Sequence, residues 1–327
     1  MSPHVSIIIV NYNGEHFLKD CLDSLHEQSY TDFEVILVDN NSADHSVEMI
    51  EREYPYIILI RNTANHGFAR GSNEGIRAAC GEYILTLNND TRLDPSFVEE
   101  ILYRMESDSR IGICASKMLY PDGRINSTGT CISRSGAAWD RGISEPDNGQ
   151  YDRPGEVFGA CAGAALYRKQ MLDEIGLFDE DFFMYMEDVD LSFRARLAGW
   201  ICMYVPSAIA YHHHGGTARV GSNIAVYYGN RNVIWVAFKN FPLDLLLVSL
   251  PWISVRTFGV IGYYTTKGQL RVILRSITDA GLGIVSILRK RRNRIIKSTD
   301  AEIMKWIQIG VRIPNLHHGV DAPNTSP

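Results

Sequence analysis

Apolar and polar positions along the N-terminal third of the chain follow two alternating periods. Residues 6–10 (Ser-Ile-Ile-Ile-Val) form a near-continuous apolar run, the pattern of a strand covered on both faces. Asn11-Tyr12-Asn13-Gly14 ends it. A helical stripe follows over about 16–28, with Phe17, Leu18, Cys21, Leu22 and Leu25 on one face. Residues 34–38 and 56–60 read as two further strands, separated by a helix that carries Val47 and Ile50. The stretch 65–75 is rich in Gly and Asn and reads as a loop leading into a helix that ends near Cys80. A fourth apolar strand, 83–87, stops at Asn88-Asn89-Asp90-Thr91. Strands alternating with helices predict βαβ units and an α/β fold with a mainly parallel sheet.

Three of these strands end in polar clusters, at 11–13, 39–44 and 88–90. Parallel strands bring such ends to one side, and ligands bind beyond the carboxyl ends of the strands in α/β sheets. The result is a polar crevice suited to a nucleotide. Asp90, flanked by amides, suits a hard divalent cation that holds a phosphate. Asn/Asp turn chemistry is the bland alternative. The chain has no Gly-x-Gly-x-x-Gly and no Gly-x-x-x-x-Gly-Lys-Ser/Thr, so dinucleotide-dehydrogenase and P-loop readings lose their main signal.

Further along, Asp94-Pro95 predicts a helix start with Asp as N-cap, running to about 107. Residues 111–120 read as a strand and 120–123 as a turn. The stretch 131–156 is irregular, and a loop this long inside a domain is functional or mobile. Small residues from Gly159 to Ala164 imply close packing against another backbone or a substrate. The densest polar patch is 178–191. Val189, Phe193 and Leu197 share a helical face there, so a helix starts near Glu187, with Gly199 as its C′ residue. Its acids sit where the helix dipole favours carboxylates. Two short strands, 201–205 and 208–211, lead to His212-His213-His214. Residues 222–240 read as a helix. The largely apolar 243–264 contains Asp244, Pro251 and Arg256, which argues for interfacial helices over a clean membrane span. A second segment, 270–288, precedes Arg289-Lys290-Arg291-Arg292-Asn293-Arg294. No pattern is legible from His317 onward.

Composition adds one asymmetry. The 327 residues carry a net charge of −6, yet 231–327 hold 14 Lys/Arg against 5 Asp/Glu, leaving 18 against 33 for the rest. A basic module facing an anionic partner follows. Nothing in the chain reads nucleic-acid bases or grooves, which leaves no nucleic-acid partner. The six cysteines are scattered without a Cys-x-x-Cys pair, the usage of a reducing compartment. The N-terminus enters a strand almost at once, with no basic region and apolar core of a signal peptide, so a cytoplasmic location is expected. The organisation expected is one large unit over 1–220, in two halves (1–92 and 93–220). A basic, apolar helical region over 221–327 follows it.

The ordered motifs together resemble those of inverting glycosyltransferases of family 2, which have the GT-A fold. The motifs are Val10-Asn11-Tyr12-Asn13-Gly14, Val38-Asp39-Asn40-x-Ser42-x-Asp44, Gly67-Phe68-Ala69-x-Gly71-x-Asn73 and Leu87-Asn88-Asn89-Asp90-Thr91. They continue with Tyr185-Met186-Glu187-Asp188-Val189-Asp190-Leu191, Tyr211-His212-x-x-Gly215-x-Thr217 and Arg231-Asn232. The likeness spans roughly 5–240 and is greatest to the bacterial branch that includes rhamnosyltransferases of cell-wall and surface-polysaccharide assembly.

The resemblance implies roles: 1–220 would be the catalytic unit, with 1–92 its donor-binding half and 93–220 its acceptor and catalytic half. Asp39 would accept from the N3–H of uracil or thymine, with Val10, Asn11, Tyr12, Asn40, Gly67, Asn73, Asn88 and Asn89 around the donor nucleotide. Asp90 would hold Mg2+ or Mn2+. The family's Asp-x-Asp has Asn88 in its first place here, so the donor's phosphates and His212 would complete the site; His213 and His214 are rivals. Asp188 would be the general base, with Glu187 orienting it or raising its pKa by like-charge repulsion, while Asp179 and Asp190 cap or orient. Arg231 would clamp the diphosphate or pair with an acid of the domain. The donor implied is dTDP-L-rhamnose or a UDP-sugar. The acceptor implied is a glycan or polyprenyl-diphosphate-linked saccharide. For the C-terminal region, peripheral attachment to the inner face of the cell membrane, a homodimer interface and packing on the catalytic unit all stay open. The rival classes are a sugar nucleotidyltransferase and a non-catalytic, membrane-bound glycan-binding protein.

Overall fold

The structure is a computed structural model that describes residues 3–213 and 221–312. His214, Gly215, Thr217 and the tail from His317 lie outside the described residues.

The first half alternates strand and helix: β1 (Val5–Asn11), α1 (Glu15–His26), β2 (Phe33–Asp39), α2 (Ser46–Glu53), β3 (Ile58–Arg61), α3 (Gly67–Ala78) and β4 (Tyr83–Asn88). Next come β5 (Thr91–Leu93), α4 (Phe97–Glu106), β6 (Ile111–Leu119), β7 (Ile125–Ser127), β8 (Thr130–Ser133), β9 (Ala138–Asp140) and β10 (Gly155–Glu156). The middle closes with β11 (Ala164–Arg168), α5 (Lys169–Ile175), a 3-10 turn (Glu180–Phe182), α6 (Glu187–Leu197) and β12 (Ile201–His212). Then follow α7 (Asn223–Asn240), α8 (Leu243–Thr266), α9 (Leu270–Arg291), α10 (Asp300–Met304) and β13 (Ile307–Gln308).

The main sheet runs β10-β12-β6-β11-β4-β1-β2-β3, with β5 added on β12 and β7 on β6. β1, β2, β3 and β4 are parallel, as is β12 on β6. β11 is antiparallel to both its neighbours, β4 and β6. Because strand side chains alternate faces, Ile7 and Ile9 pack with Leu18 and Leu22 of α1, while Ile8 packs with Ile76 of α3. That explains the unbroken apolar run of β1.

Several sequence expectations shift. The Gly/Asn-rich stretch is helical from Gly67, so the loop before α3 is short. The helix expected at Asp94-Pro95 begins at Phe97; Asp94 instead accepts from the N–H and Oγ of Ser96. The two short strands before His212 are one strand, bulged between Val205 and Ile209. The irregular 131–156 holds β9 and β10, and β9 belongs to a second, three-stranded sheet, β13-β8-β9. The run of small residues packs on β8 and α6: a Cβ at Gly159 would meet the side chains of Thr130 and Ser192.

The C-terminal helices pack on the catalytic unit through a third core that joins Phe182, Phe193, Trp235, Phe241, Ile253 and Ile287. A buried ion cluster fastens it. Asp190 accepts from Asn240 Nδ2 (2.7 Å), Lys239 Nζ (2.9 Å) and Arg194 Nε (2.9 Å), and Lys239 also reaches Asp179 at 2.6 Å. The basic run is largely turned inward. Lys290 pairs with Asp179 and Asp181, Arg291 donates to the Phe238 carbonyl and Arg294 to that of Asn240. Arg289 and Arg292 remain exposed. α8 is continuous despite Pro251, and its Arg256 is buried on Asn230 Oδ1 at 3.0 Å.

Candidate active site

The register of the parallel strands sets Asn11 beside Asp39 and Val10 beside Asn88. These tips form a prewired floor. Asn11 Nδ2 donates to Asp39 Oδ1 (3.1 Å) and to Ser46 Oγ (2.9 Å), while its Oδ1 accepts from Asn89 Nδ2 (2.7 Å). Ser42 gives Asp39 both its hydroxyl (2.5 Å) and its backbone N–H (3.0 Å). Asp39 thus has three donors, and a carboxylate offers about four acceptor sites, leaving room for one more N–H. Tyr12, half-buried, follows directly.

Four residues expected at the nucleotide are spent on architecture. Asn40 donates to the Gly67 carbonyl and accepts from Asn62. Asn73 clips the Phe178 backbone through both amide atoms, 2.8 and 3.0 Å, and reaches Glu180. Gly67, at φ +77°, lies so close to Phe183 that a Cβ would strike its carbonyl and ring. Arg231 turns to the protein backbone. Its guanidinium donates to the Asp181 and Phe182 carbonyls and lies 4.0 Å from the Trp235 ring centre. Asn73, Gly67 and Arg231 hold the loop that feeds α6, and Asn40 holds Gly67. That loop is strained: Phe183, Tyr185 and Met186 have φ of 65°, 65° and 70°, and Met184 N–H closes a γ-turn on the Phe182 carbonyl at 2.8 Å. Asn232 accompanies Arg231, capping the carbonyls of Phe182, Met184 and Tyr185.

A second pair forms where β5 lies antiparallel on β12. His212 opposes Thr91, which brings its ring to Asp90. His212 Nε2 is 3.1 Å from Asp90 Oδ1 and 3.3 Å from Asn88 Nδ2. Its Nδ1 faces Asn126 Oδ1 at 3.0 Å. An amide oxygen only accepts, so Nδ1 donates to Asn126, which aims Nε2 at Asp90. His213 turns to the Phe17 ring, 5.4 Å away. Among the described residues no group of three or more His, Cys, Asp or Glu could hold a metal ion. Asp90 and His212 could supply two ligands. They fit a cation that takes its remaining ligands from substrate phosphates and water, as Mg2+ does and as Mn2+ does when an imidazole joins.

The start of α6 reaches the same tips through the 162–163 backbone, since the Gly163 carbonyl accepts from the Asn88 N–H at 2.9 Å. Asp188 is half-buried and accepts the Ala162 N–H at 3.2 Å and the Val189 N–H at 2.7 Å. Burial holds its carboxyl above the ordinary carboxylate range despite these donors. Glu187 is pushed further up, first by burial and then by the charge of Asp188. Its Oε2 is buried with no hydrogen-bond partner among the described residues. The repulsion expected from Glu187 on Asp188 therefore runs the other way: Glu187 keeps its proton while Asp188 ionises. Asp179 caps the 3-10 turn, and Asp190 belongs to the buried ion cluster.

Sequence reasoning missed Asp140. It ends β9, and its Oδ1 is buried without a partner among the described residues. Burial pushes its carboxyl up to about 6, helped by the charge of Asp188, while His212 and Arg312 pull it down. The only available signal was the long irregular stretch itself. Asn126, which orients His212, left no signal.

The model of glycosyl transferase family 2 matches residues 6–176. The chain belongs to that family. It is similar, at 27% identity over 257 residues, to the N-acetylglucosaminyl-diphospho-decaprenol L-rhamnosyltransferase of Mycobacterium tuberculosis, a match covering 70% of this chain and 82% of that protein. Among solved structures, GalNAc-T7 with UDP, GalNAc and Mn2+ superposes with a TM-score of 0.63 at 15% identity, covering 78% of this chain and 50% of that one. The Pyrobaculum calidifontis mannosyltransferase PcManGT with GDP-Man and Mn2+ gives 0.54 at 16%, covering 89% and 85%. These likenesses establish the GT-A fold. This family 2 enzyme is a glycosyltransferase with rhamnosyltransferase relatives, and the nucleotidyltransferase and non-catalytic readings have no comparable support.

Proposed function

We propose that the enzyme transfers L-rhamnose from dTDP-L-rhamnose to a saccharide carried on a polyprenyl diphosphate, with inversion at the anomeric carbon. The observation that supports inverting transfer is that Asp188 holds the Ala162 N–H next to Gly163, whose carbonyl accepts from the N–H of Asn88 beside the Asp90–His212 pair; the sugar draws on the rhamnosyltransferase relative. The strand-tip floor offers Asp39 to the uracil or thymine edge, so a UDP-sugar competes as donor. Asp90 and His212 would hold a divalent cation, which when bound neutralises the leaving diphosphate. Asp188 takes the proton of the acceptor hydroxyl as that oxygen attacks from the face opposite the leaving group. Glu187, protonated, holds no charge beside it. Residues 181–186, fastened by Arg231 and Asn232, fix where Asp188 stands.

The lipid-linked acceptor draws on the rhamnosyltransferase relative and on α8 and α9. Leu243, Val255 and Phe258 on α8 and Leu274, Leu282 and Val285 on α9 are exposed. α8 is also, among the described residues, the one helix long and apolar enough to cross a membrane. We read the pair as a hairpin seated on the cytoplasmic face of the cell membrane. The division into catalytic unit and helical C-terminal region serves that arrangement.

Thermal shift with dTDP- and UDP-sugars, with and without Mn2+ or Mg2+, tests the donor site. The expected result is a shift that needs nucleotide and metal together, about 2.7 kcal/mol at a hundredfold excess over Kd. No shift with any uridine or thymidine diphosphate would sink it.

A further inference from the structure

The seam that fastens the C-terminal helices to α6 encloses a cavity of about 240 Å³. Four cations line it, Arg194, Lys239, Lys290 and Arg294, against one carboxylate, Asp179. The volume is below that of a site for a drug-sized ligand, about 300 Å³ and more, and it admits a group as small as a phosphate.

The charges around the cavity do not balance. Asp179 accepts from Lys239, from Lys290 and from the Asp181 N–H. Asp190, behind the wall, pairs with Arg194 and Lys239, and Asp181 pairs with Lys290. These carboxylates answer Arg194, Lys239 and Lys290 and leave Arg294 over. Its Nε donates to the Arg291 carbonyl and its Nη1 to the Asn240 carbonyl, and no carboxylate among the described residues touches it. Burial, and then the charge of Arg291, pull its pKa down to about 10, while Asp190 opposes them from a distance. A half-buried cation that ends only on carbonyls is stabilised by an anion brought to it.

What the wall still offers is donors. The second Nη1 hydrogen of Arg294 and those on Nη2 have no partner among the described residues. Arg194 spends Nε on Asp190, Nη1 on the carbonyls of Ile175 and Gly176 and one Nη2 hydrogen on that of Leu177, so another Nη2 hydrogen remains. Lys290 divides itself between Asp179 and Asp181 and keeps a third ammonium hydrogen. The exposed Asn293 sits on the rim. Spare donors with an excess positive charge match a group that only accepts, and a guanidinium takes a phosphate through paired N–H groups.

The cavity stands apart from the chemistry. Arg194 belongs to the last turn of α6 and Asp188 to the first, and none of the wall comes from the β1, β2 or β4 tips. We propose that it is a phosphate-binding site, formed by Arg294, Lys290 and Arg194 where the end of α9 meets α6. A phosphate held there ties the end of α9 to α6 and to the turn that Asp179 caps, and so strengthens the seam. The group belongs to a soluble compound or to a lipid headgroup. Leu288 and Ile296 flank the lining residues and are exposed, which puts a headgroup within reach.

The test is a phosphorus NMR titration of inorganic phosphate with the full chain, without nucleotide or metal and with chloride holding ionic strength constant. Wild type should bind saturably. Arg294→Gln and Asn293→Asp should each weaken binding about tenfold or more. Asn293→Asp adds a charge at an exposed position, so it keeps the test valid if Arg294→Gln disturbs the seam. Binding of dTDP with Mn2+ should be unchanged in both. Flotation then separates the sources. Stronger flotation of wild type with phosphatidic acid than with phosphatidylglycerol at matched surface charge, lost in Arg294→Gln, assigns a headgroup. Equal flotation beside intact phosphate binding assigns a soluble compound. Wild type that binds phosphate no better than chloride, or variants that both bind it as wild type does, would overturn the site.

Discussion

His212 Nε2 stands 3.1 Å from Asp90 Oδ1, and the ring is held there from behind by Asn126, 3.0 Å from Nδ1. Groups that orient a ligand histidine and fix its tautomer commonly change metal affinity 10- to 100-fold when removed. Asn126→Ala touches neither Asp90 nor the floor residues. Calorimetric titration of Mn2+ in the presence of saturating dTDP should show affinity falling by roughly that factor. Unchanged affinity would mean that His212 holds no metal.

Glu187 and Asp188 divide one charge. Burial and the charge of Asp188 keep Glu187 protonated, so Glu187→Gln resembles the working state. Transfer should survive in this variant. In both proteins activity should rise from the acid side as Asp188 ionises, through a pKa above the ordinary carboxylate range. Stability has a definite sign too. A carboxyl raised in the folded state contributes stability at low pH and loses it as pH rises toward its folded pKa. The Gln variant should therefore melt higher than wild type at pH 8 and show no gain at pH 4. A collapse of activity would make Glu187 part of the base.

Lys239 joins Asp179 and Asp190 across the seam between α6 and α7. Lys239→Met would leave two buried carboxylates short of a cation, which costs about 3–5 kcal/mol. Urea unfolding measures it. The charges around Asp190 hold its carboxyl down to about 2. A depressed carboxylate stabilises the fold above the ordinary carboxylate range and loses that contribution as pH falls toward 2. Wild type should thus lose its advantage over the variant below pH 4.

Phe258 on α8 and Leu282 on α9 are 74% and 77% exposed, more than structural packing requires of such side chains. Phe258→Asp with Leu282→Asp should cut flotation with vesicles containing anionic lipid and leave nucleotide binding intact. Because Lys290, Arg291 and Arg294 face inward, raising salt should weaken flotation only modestly. A double variant that floats like wild type would exclude the hairpin as the attachment surface.

The sheet was legible because β1, β2 and β4 carry unbroken apolar runs that end in Asn and Asp, and period and punctuation agree there. Asp90 and His212 could be placed by motif order. What motif order does not say is whether a side chain faces ligand or protein. Asn40, Asn73 and Arg231 sit in ordered motifs, yet their donors and acceptors are spent on the backbone of 178–185 and on Gly67. Their pattern reflects the cost of holding a strained loop. Asp140 and Asn126 stayed hidden because they reach the site through β9 and β7, three-residue hairpin strands too short to show a period-2 pattern. The basic run misled for a related reason: charge density does not reveal that Asp179, Asp181 and two helix-end carbonyls lie within reach of it.

The central claim is that Asp188 activates the acceptor hydroxyl while Asp90 and His212 serve the leaving group. Single-turnover transfer of L-rhamnose from dTDP-L-rhamnose, with the product's anomeric configuration read by NMR, tests it most directly in wild type and Asp188→Asn. Inversion is predicted, with a loss of about 10²- to 10⁴-fold in the variant at unchanged donor affinity. A product with retained configuration, or an Asp188→Asn enzyme that transfers at the wild-type rate, would contradict it.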